Sequence, residues 1–473
     1  MTTLLIPYRK YTDIVRDPIY NYIDFTKSSG NGEIAEKDII DTPPFQRLRQ
    51  IHQLQSAWIV YPGAEHTRFQ HSLGTMHLCG IFANHLYSPL RNKINGPTNL
   101  PETNMLVEEL RLSGLLHDIG HGPFGHLLDD TFLFPNYKIT HEDISQKIIK
   151  NEYQEKISKI NRSPYGKFSG DLNFKNLINR IKHNNEDYFT ENYQKSLYKI
   201  LHGIWTADTL DFIQRDAYFC GTKEYSMIDA DRLINSSIIP DEGGLALYKT
   251  SESALQAFLL SRIFMFTSVY YHRTARAYDI SVKKLLPKTM EILGIGNPIK
   301  ENDSYQKYLE LTEFNLFSEV KKWSNEIANE KSKLAIPWKK IINRDLEWRH
   351  VYSQKINPLK ILGEEIKIKE SVILDIITKQ LPPGTDSTDI EIDIPYLDVK
   401  NPFQLGKMDY AIYDPDEEKI VDQKGVNRIL IDLIPNKIIY FSVYAKKDKR
   451  KNIQDALKKA DKEELKIEQI TNY

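Results

Sequence analysis

Nine of the 13 histidines fall between His52 and His141, a density far above that of the rest of the 473-residue chain. The densest part is His117-Asp118-Ile119-Gly120-His121-Gly122-Pro123-Phe124-Gly125-His126, with three histidines, three glycines and a proline in ten residues. Four side chains have the chemistry of metal ligands: His71, His117, Asp118 and Asp208. Imidazole nitrogen with carboxylate oxygen suits one divalent ion, Fe, Mn, Zn or Co, and Mg less well. No cysteine adjoins the His-Asp doublet, which argues against a structural thiolate zinc site. A doublet at a helix end can aim both groups inward, because the glycine-rich turn after it relieves crowding. Two ligands from one helix end and one from each of two distant helices would leave coordination positions open for water and substrate, as hydrolytic catalysis requires. A lone His-Asp pair also arises by chance, so the surrounding imidazoles carry the argument. Histidines in excess of a ligand set suit phosphate binding and protonation of a leaving group.

Asp129 follows His126 by three positions, so on a helical turn its carboxylate can orient that imidazole and raise its pKa. His141-Glu142 is a second pair of this kind. Preceded by Thr140, it is equally a capped helix start, and a helix N-terminus is itself a phosphate neighbour.

These groups must be positioned by helices. Asp41-Thr42-Pro43-Pro44 reads as a helix start, with Phe45, Leu48, Ile51 and Leu54 continuing at helical spacing. Met105 to His117, Leu201 to Phe219 and Ser253 to Leu286 repeat the pattern. Ahead of them, Ser28-Ser29-Gly30-Asn31-Gly32 is a turn signal that could join strands at Tyr20 to Phe25 and Glu33 to Ala35. Beyond residue 300 come a charged helix at Ser318 to Leu334 and β-like runs at Ile429-Leu430-Ile431 and Ile438 to Phe441. A basic helix from Lys446 to Lys466 follows. The division expected is an N-terminal segment with a hairpin (1–40), a helical catalytic core (41–300) and a smaller α+β C-terminal lobe (301–473).

Composition narrows the class. The 63 basic and 64 acidic residues leave a net charge of −1, so there is no global attraction to nucleic acid or an anionic membrane. Hydrophobic content of 41% excludes a disordered chain. Cys79 and Cys220 cannot build a disulfide framework, and Met1 to Lys10 lacks the pattern of a signal peptide; a cytoplasmic protein is expected. The apolar stretch Ala254 to Tyr271 is interrupted by Gln256, Arg262, Thr267 and Ser268, and reads as a core helix, not a membrane span.

Several segments together resemble the HD-domain deoxynucleoside triphosphate triphosphohydrolases, which include bacterial dGTPase-like enzymes and the sterile-alpha-motif-and-HD-domain dNTPase. They are Asp41-Thr42-Pro43-Pro44-Phe45-Gln46-Arg47-Leu48-Arg49, Tyr61-Pro62-Gly63-Ala64, His66-Thr67-Arg68-Phe69-Gln70-His71-Ser72-Leu73-Gly74, the decapeptide from His117 to His126, and the Asp208 segment. The resemblance extends over nearly the whole chain, with no sterile-alpha-motif domain expected ahead of the body. It implies a mainly α fold, an HD-domain helical phosphohydrolase core with the α+β lobe appended. It implies that His71, His117, Asp118 and Asp208 bind the metal, and that Arg68, His121, His126 and Asp129 handle the phosphates and the chemistry at the α-phosphorus, with His141 and Glu142 nearby. Gln53-Leu54 resembles the family's sugar-sensing pair: glutamine for the 3′-hydroxyl, leucine against a 2′-hydroxyl. Arg262 resembles the arginine that binds the β- and γ-phosphates, and Tyr270 the substrate-stacking tyrosine, with His272 and Tyr278 competing for the same family positions.

Thr209 stands where relatives often carry a phosphate-binding lysine, and Phe212 where a tyrosine is frequent. Asp216 resembles the family carboxylate near the 3′-hydroxyl, although Arg215-Asp216 is also readable as a plain charge pair. Asp41, Gln46 and Arg49 resemble the reader of an activating GTP, dGTP or other dNTP, with Arg232 and Arg349 supplied by a neighbouring subunit of a homotetramer. Surface charges and a helix cap account for the same residues equally well. Two other functions stay open: an HD phosphohydrolase acting on nucleoside monophosphates or cyclic nucleotides, and a regulator that binds nucleotide or nucleic acid with little hydrolysis. The run Lys446 to Lys451 is the support for the regulator.

Overall fold

Two long helices carry the site, and their sequences explain why they lie side by side. Arg68–Lys93 begins on Arg68-Phe69-Gln70-His71, and Thr103–Leu116 delivers His117-Asp118 at its end. In the second helix nearly every side chain from Leu106 to Leu116 is buried, polar ones included, so it can only be a central core helix. This computed structural model describes residues 10–30, 32–93, 100–240, 244–325, 330–356, 377–398, 411–421 and 437–463. The described chain is mainly α with small sheets.

Two of the charges buried in that central helix, Arg111 and Glu109, are partnered. Arg111 donates from Nε to Glu36 Oε1 at 2.6 Å and from Nη2 to Oε2 at 3.1 Å. Arg180 donates to Glu109 Oε1 at 2.8 Å and to Gln194 Oε1 at 2.5 Å. Glu36 Oε2 also accepts the Thr26 amide at 2.7 Å, tying the N-terminal hairpin to the body. Glu36→Gln would strand the Arg111 guanidinium away from water without its main counter-ion. A loss of about 3 kcal/mol in unfolding free energy is expected from urea titration, and a loss below about 1 kcal/mol would contradict it.

The hairpin is built from Thr12–Asp17 and Asn21–Thr26, paired antiparallel from Thr12↔Thr26 to Asp17↔Asn21. This corrects the expectation that Gly30-Asn31-Gly32 joins the strands of the hairpin. The turn forms earlier because Asp17 Oδ1 accepts the amides of Ile19 and Tyr20, at 2.8 and 3.0 Å, and Asn21 takes the left-handed φ of 64°. The helix begun at Thr42 is also shorter than its apolar spacing predicts. Pro43–Gln46 passes into a 3₁₀ turn, Arg47–Gln50, and the chain is extended at Ile51. Tertiary partners end it: Arg47 donates to the carbonyls of Ile119 and His121, and the His52 amide donates to Glu313 Oε2.

The charged stretch around 318–334 is two helices, Glu313–Lys322 and Glu330–Ile342, because Trp323 and Trp338 both turn into the core. These helices join Phe124, Leu127 and Leu128 in one apolar cluster, so chain beyond residue 300 supports the site directly. The sheet farther on has Lys437–Lys446 between Trp348–Ile356 and Ile390–Asp393, all antiparallel, with Tyr396–Asp398 beside the start of the long strand. The helix Arg450–Glu463 packs on it. A second sheet sets Ala246–Tyr248 parallel to Ala411–Asp414, stitching the C-terminal part of the chain to its middle. The run Ile429-Leu430-Ile431 lies outside the described residues.

One helical stretch, Lys249–Tyr270, is long and apolar enough by length and composition to cross a membrane. Here it contributes Leu255, Phe258, Leu259, Met265 and Val269 to the second apolar core cluster and turns Arg262 into a polar cavity, the placement of a core helix.

Candidate functional site

The helices enclose a cavity of about 660 Å³, within the range of small-ligand sites. It is lined by His71, His117, Asp118 and Asp208, by His121, His126, His141 and Glu142, and by Gln53, Leu54, Arg68, Asp216, Arg262 and Tyr270.

The first four converge. His71 Nε2 lies 3.0 Å from Asp208 Oδ1 and 3.8 Å from Asp118 Oδ2, and His117 Nε2 lies 3.3 Å from Asp118 Oδ1 and 3.8 Å from Asp208 Oδ1. Both Nε2 atoms are buried and make no aligned hydrogen bond, whereas both Nδ1 atoms are committed, to Asp211 Oδ2 at 2.8 Å and to the Gly114 carbonyl at 2.8 Å. Fixing the far nitrogen in this way presents the near one as a ligand. Burial would lower the pKa of His71, but the Asp208 and Asp211 carboxylates outweigh it and push the group up to about 10. Burial would raise Asp118, but His117 and then Arg68 hold it well below the usual carboxylate range. A pocket that draws positive charge between two carboxylates is one where a divalent cation can replace the proton. The donor set therefore fits such an ion.

Local sequence explains the convergence. Thr206 Oγ1 caps the helix Ala207–Cys220 by accepting the Thr209 amide at 2.9 Å, which places Asp208 in the first turn facing His71. The Thr209 hydroxyl is engaged with the same cap at 2.8 Å, so this position adds no charge to the cavity wall. At Gly74 a side chain would overlap Asp211 and Arg215, and its absence lets the two helices approach closely enough for the Asp211–His71 bond. At Gly120 a Cβ would strike the His141 carbonyl, so glycine is needed where the decapeptide passes the helix His141–Ile148.

A second group stands beside the first: ligand-type atoms of His121, His126, Asp129 and His141 all lie within 4.8 Å of one another. Asp129 takes the His141 amide at 3.0 Å and His141 Nδ1 at 2.5 Å, with His126 Nδ1 at 3.6 Å. His121 stacks on His141 with centroids 3.6 Å apart. Its burial, then the Arg68 charge, hold His121 well below the ordinary imidazole value. His126 is the exposed member, its side chain 59% accessible. Desolvation opposes its protonation, and Asp129 more than offsets that, raising it. Glu142 turns from this group to His183, whose Nδ1 it contacts; burial would raise Glu142, and that histidine holds it down to about 2.

Arg68 Nη1 contacts Asp118 Oδ2 at the boundary of the two groups. Asp216 is held by His66 Nε2 on Oδ1 at 2.7 Å and by the Tyr270 hydroxyl on Oδ2 at 2.6 Å. Tyr270 thus lines the cavity, whereas Tyr278 is buried in the first core and His272 caps the helix Arg273–Ile292. Phe212 faces Tyr270 across 6.4 Å. Among residues proposed for regulation, Gln46 Oε1 accepts Arg49 Nε at 2.7 Å, and Asp41 lies 3.8 Å from Lys37. Arg232 donates to the Thr250 carbonyl at 2.5 Å, and Arg349 lines a separate cavity of about 300 Å³ with Arg273, His350 and Arg450. None of these five lines the main cavity.

Sequence reasoning missed the braces: Asp211 on His71, His66 on Asp216, Arg47 on the decapeptide carbonyls, and Glu313, which accepts the amides of His52 and Phe124, each at 2.8 Å. Of these, Arg47 and His66 lie inside motifs that the sequence itself makes visible.

Comparison with known proteins places these residues in context. Residues 68–205 match the HD domain family, and residues 228–472 match the HD associated region. An uncharacterized protein of Methanocaldococcus jannaschii is 33% identical over 281 residues, 59% of this chain and 50% of its own, so this chain spans about half that relative's length. The human deoxynucleoside triphosphate triphosphohydrolase SAMHD1 is 25% identical over 485 residues, 94% of this chain and 72% of its own. A hypothetical protein from Aquifex aeolicus shares the fold, with a TM-score of 0.70 at 22% identity over 94% of this chain and 100% of that one.

Proposed function

Because the chain belongs to the HD-domain proteins that carry an HD-associated region, we propose that it is a metal-dependent phosphohydrolase converting dNTPs to deoxynucleoside and tripolyphosphate. The observation that carries this reading is the convergence of His71, His117, Asp118 and Asp208 beside a separate imidazole group, in one cavity that also holds Arg68 and Arg262. The human relative's name supports the substrate. A divalent ion held by the four ligands would supply Lewis-acid polarisation at a phosphoryl oxygen.

The protein's own groups do the rest. Arg68 and Arg262 bind phosphate oxygens, and neutral His121 donates a hydrogen bond to another without adding charge. His126, whose protonated form Asp129 favours, is exposed to the cavity and delivers its proton to the departing 5′-oxygen as a water oxygen takes its place on the α-phosphorus. Gln53 and Asp216 read the 3′-hydroxyl, with His66 and Tyr270 fixing the carboxylate, while Leu54 fills the space a 2′-hydroxyl would need. With Thr209 in place of a lysine, the phosphate chain is gripped with one fewer fixed charge, and a weaker hold on its far end follows.

Activation by GTP or another dNTP at Asp41, Gln46 and Arg49, completed by Arg232 and Arg349 of a neighbouring subunit in a tetramer, extends the proposal. Equal rates with and without the activator would remove that extension. For the reaction itself, purified protein incubated with Mn and each dNTP should release tripolyphosphate on anion-exchange chromatography. Pyrophosphate with the deoxynucleoside monophosphate would replace this reading by attack at another bond.

A further inference from the structure

The turn of the N-terminal hairpin abuts the back of the four-ligand group. Asp17 closes that turn with Oδ1, and with Oδ2 it accepts Nη1 of Arg215 at 2.7 Å. Three residues on, the Tyr20 hydroxyl donates to Asp211 Oδ1 at 2.9 Å. The Tyr20 ring rests against the long helix Arg68–Lys93, its centroid 5.0 Å from that of His77, with the Arg215 guanidinium 5.9 Å away. Asp17, Asp211 and Arg215 are all buried. The hairpin thus meets, 191 and 198 residues away in sequence, the two groups that stand behind His71.

Asp211 is the carboxylate that holds His71, and its acceptor sites are full. Oδ2 takes His71 Nδ1 at 2.8 Å and Arg215 Nε at 2.9 Å, while Oδ1 takes Arg215 Nη2 at 2.8 Å and the Tyr20 hydroxyl at 2.9 Å. A carboxylate offers about four lone-pair sites, so no rotation of Asp211 keeps all four donors. Arg215 is in turn shared between the carboxylates of Asp211 and Asp17. Without the Asp17 charge the guanidinium would lean wholly on Asp211 and draw off the negative charge that makes His71 Nε2 a strong donor. We infer that Asp17 and Tyr20 are positioning residues for the metal: they fix Asp211, which fixes His71, and so set how tightly a divalent ion is held. This rests on the reading of the four ligands as a metal site, and extends it to residues that do not line the cavity.

A hairpin that is merely a structural brace predicts lower stability at unchanged metal affinity. The test titrates Mn into chelator-dialysed wild type, Asp17→Asn, Tyr20→Phe and Glu36→Gln, counting free Mn by electron paramagnetic resonance, with melting temperatures on the same samples. Asp17→Asn keeps Oδ1 for the turn and removes the charge that faces Arg215. The Mn dissociation constant should rise about tenfold in Asp17→Asn and about threefold in Tyr20→Phe, since both act one contact behind the carboxylate that orients the ligand. Glu36→Gln loosens the same hairpin elsewhere, at the Thr26 amide, and leaves Asp211 untouched, so its Mn affinity should match the wild type. Equal affinity in all four proteins, or an equal loss in Glu36→Gln, overturns the inference and leaves the brace. If Asp17→Asn does not fold, Tyr20→Phe decides alone. A wild type that binds no Mn removes the ligand reading and the inference together. Tightly bound Mn without dNTP hydrolysis removes only the substrate, and the graded affinities still stand or fall by themselves.

Discussion

Asp208→Ala should strip the protein of its divalent metal and lower dNTP turnover by about 10³- to 10⁴-fold, since Lewis-acid catalysis contributes several kcal/mol and each 1.4 kcal/mol is a factor of ten. Asp208 is the ligand proposed from the far helix, and its Oδ1 is the atom that faces both imidazoles, at 3.0 and 3.8 Å. His117→Ala should behave alike, because its Nε2 is the one that faces the carboxylates while Nδ1 is held on the Gly114 carbonyl. Metal content after dialysis, by mass spectrometry, and turnover on the same sample check both variants. Asp211→Asn makes the sharper comparison. Asp211 is not a ligand; it orients His71 from behind and is itself held by Arg215, Nε to Oδ2 at 2.9 Å and Nη2 to Oδ1 at 2.8 Å. Loss of such an orienting carboxylate costs about 10- to 100-fold in metal affinity, so Asp211→Asn should recover activity as metal is added and Asp208→Ala should not. Full activity and metal content in Asp208→Ala would remove Asp208 from the ligand set.

What the chain discloses in advance divides along a physical line. His117, Asp118, His121 and His126 are legible because four groups of one site are delivered by ten consecutive residues. The helix Thr103–Leu116 is legible because Met105, Leu106, Val107, Leu110, Leu112, Leu115 and Leu116 crowd a short run. The braces are illegible because they are long-range: His71 and Asp211 are 140 residues apart, and His52 and Glu313 are 261 apart. Nothing in the composition around Glu313 distinguishes it from the surface glutamates nearby. Tyr270 and Tyr278 compete on paper because both recur at helical spacing. A π-helical turn at Phe266–Tyr270 shifts the register there, which no regular period anticipates, and turns Tyr270 to the cavity. The hairpin failed for a different reason. A Gly-Asn-Gly stretch is a strong turn signal, but a single aspartate accepting two amides made the turn first.

His126→Ala should lower kcat by about 10²- to 10³-fold, the contribution of a positioned general acid. The more informative variant is Asp129→Asn, which keeps the shape and removes the charge. In the native site, desolvation lowers His126 and Asp129 raises it by more, so the imidazole stays protonated above its ordinary range. An acid must carry its proton, so activity falls as pH rises through the raised value. Removing the carboxylate charge lowers that value, and the alkaline limb of the kcat profile should move to lower pH, with the deficit larger at pH 8 than at pH 6. Unfolding does not mimic this. Asp129 is held well below the usual carboxylate range, by His141 and then His126 against its burial, so its ionised form stabilises the fold at every pH above the ordinary carboxyl value and is lost only in acid. The raised His126 has the opposite sign: its stabilisation is complete below the ordinary imidazole value and fades as pH rises through the folded one, which melting curves across the same range will separate from the kinetic limb. Should the limb stay in place in Asp129→Asn while kcat falls at all pH values alike, the proton comes from elsewhere, and His141, 2.5 Å from the same carboxylate, becomes the group to replace.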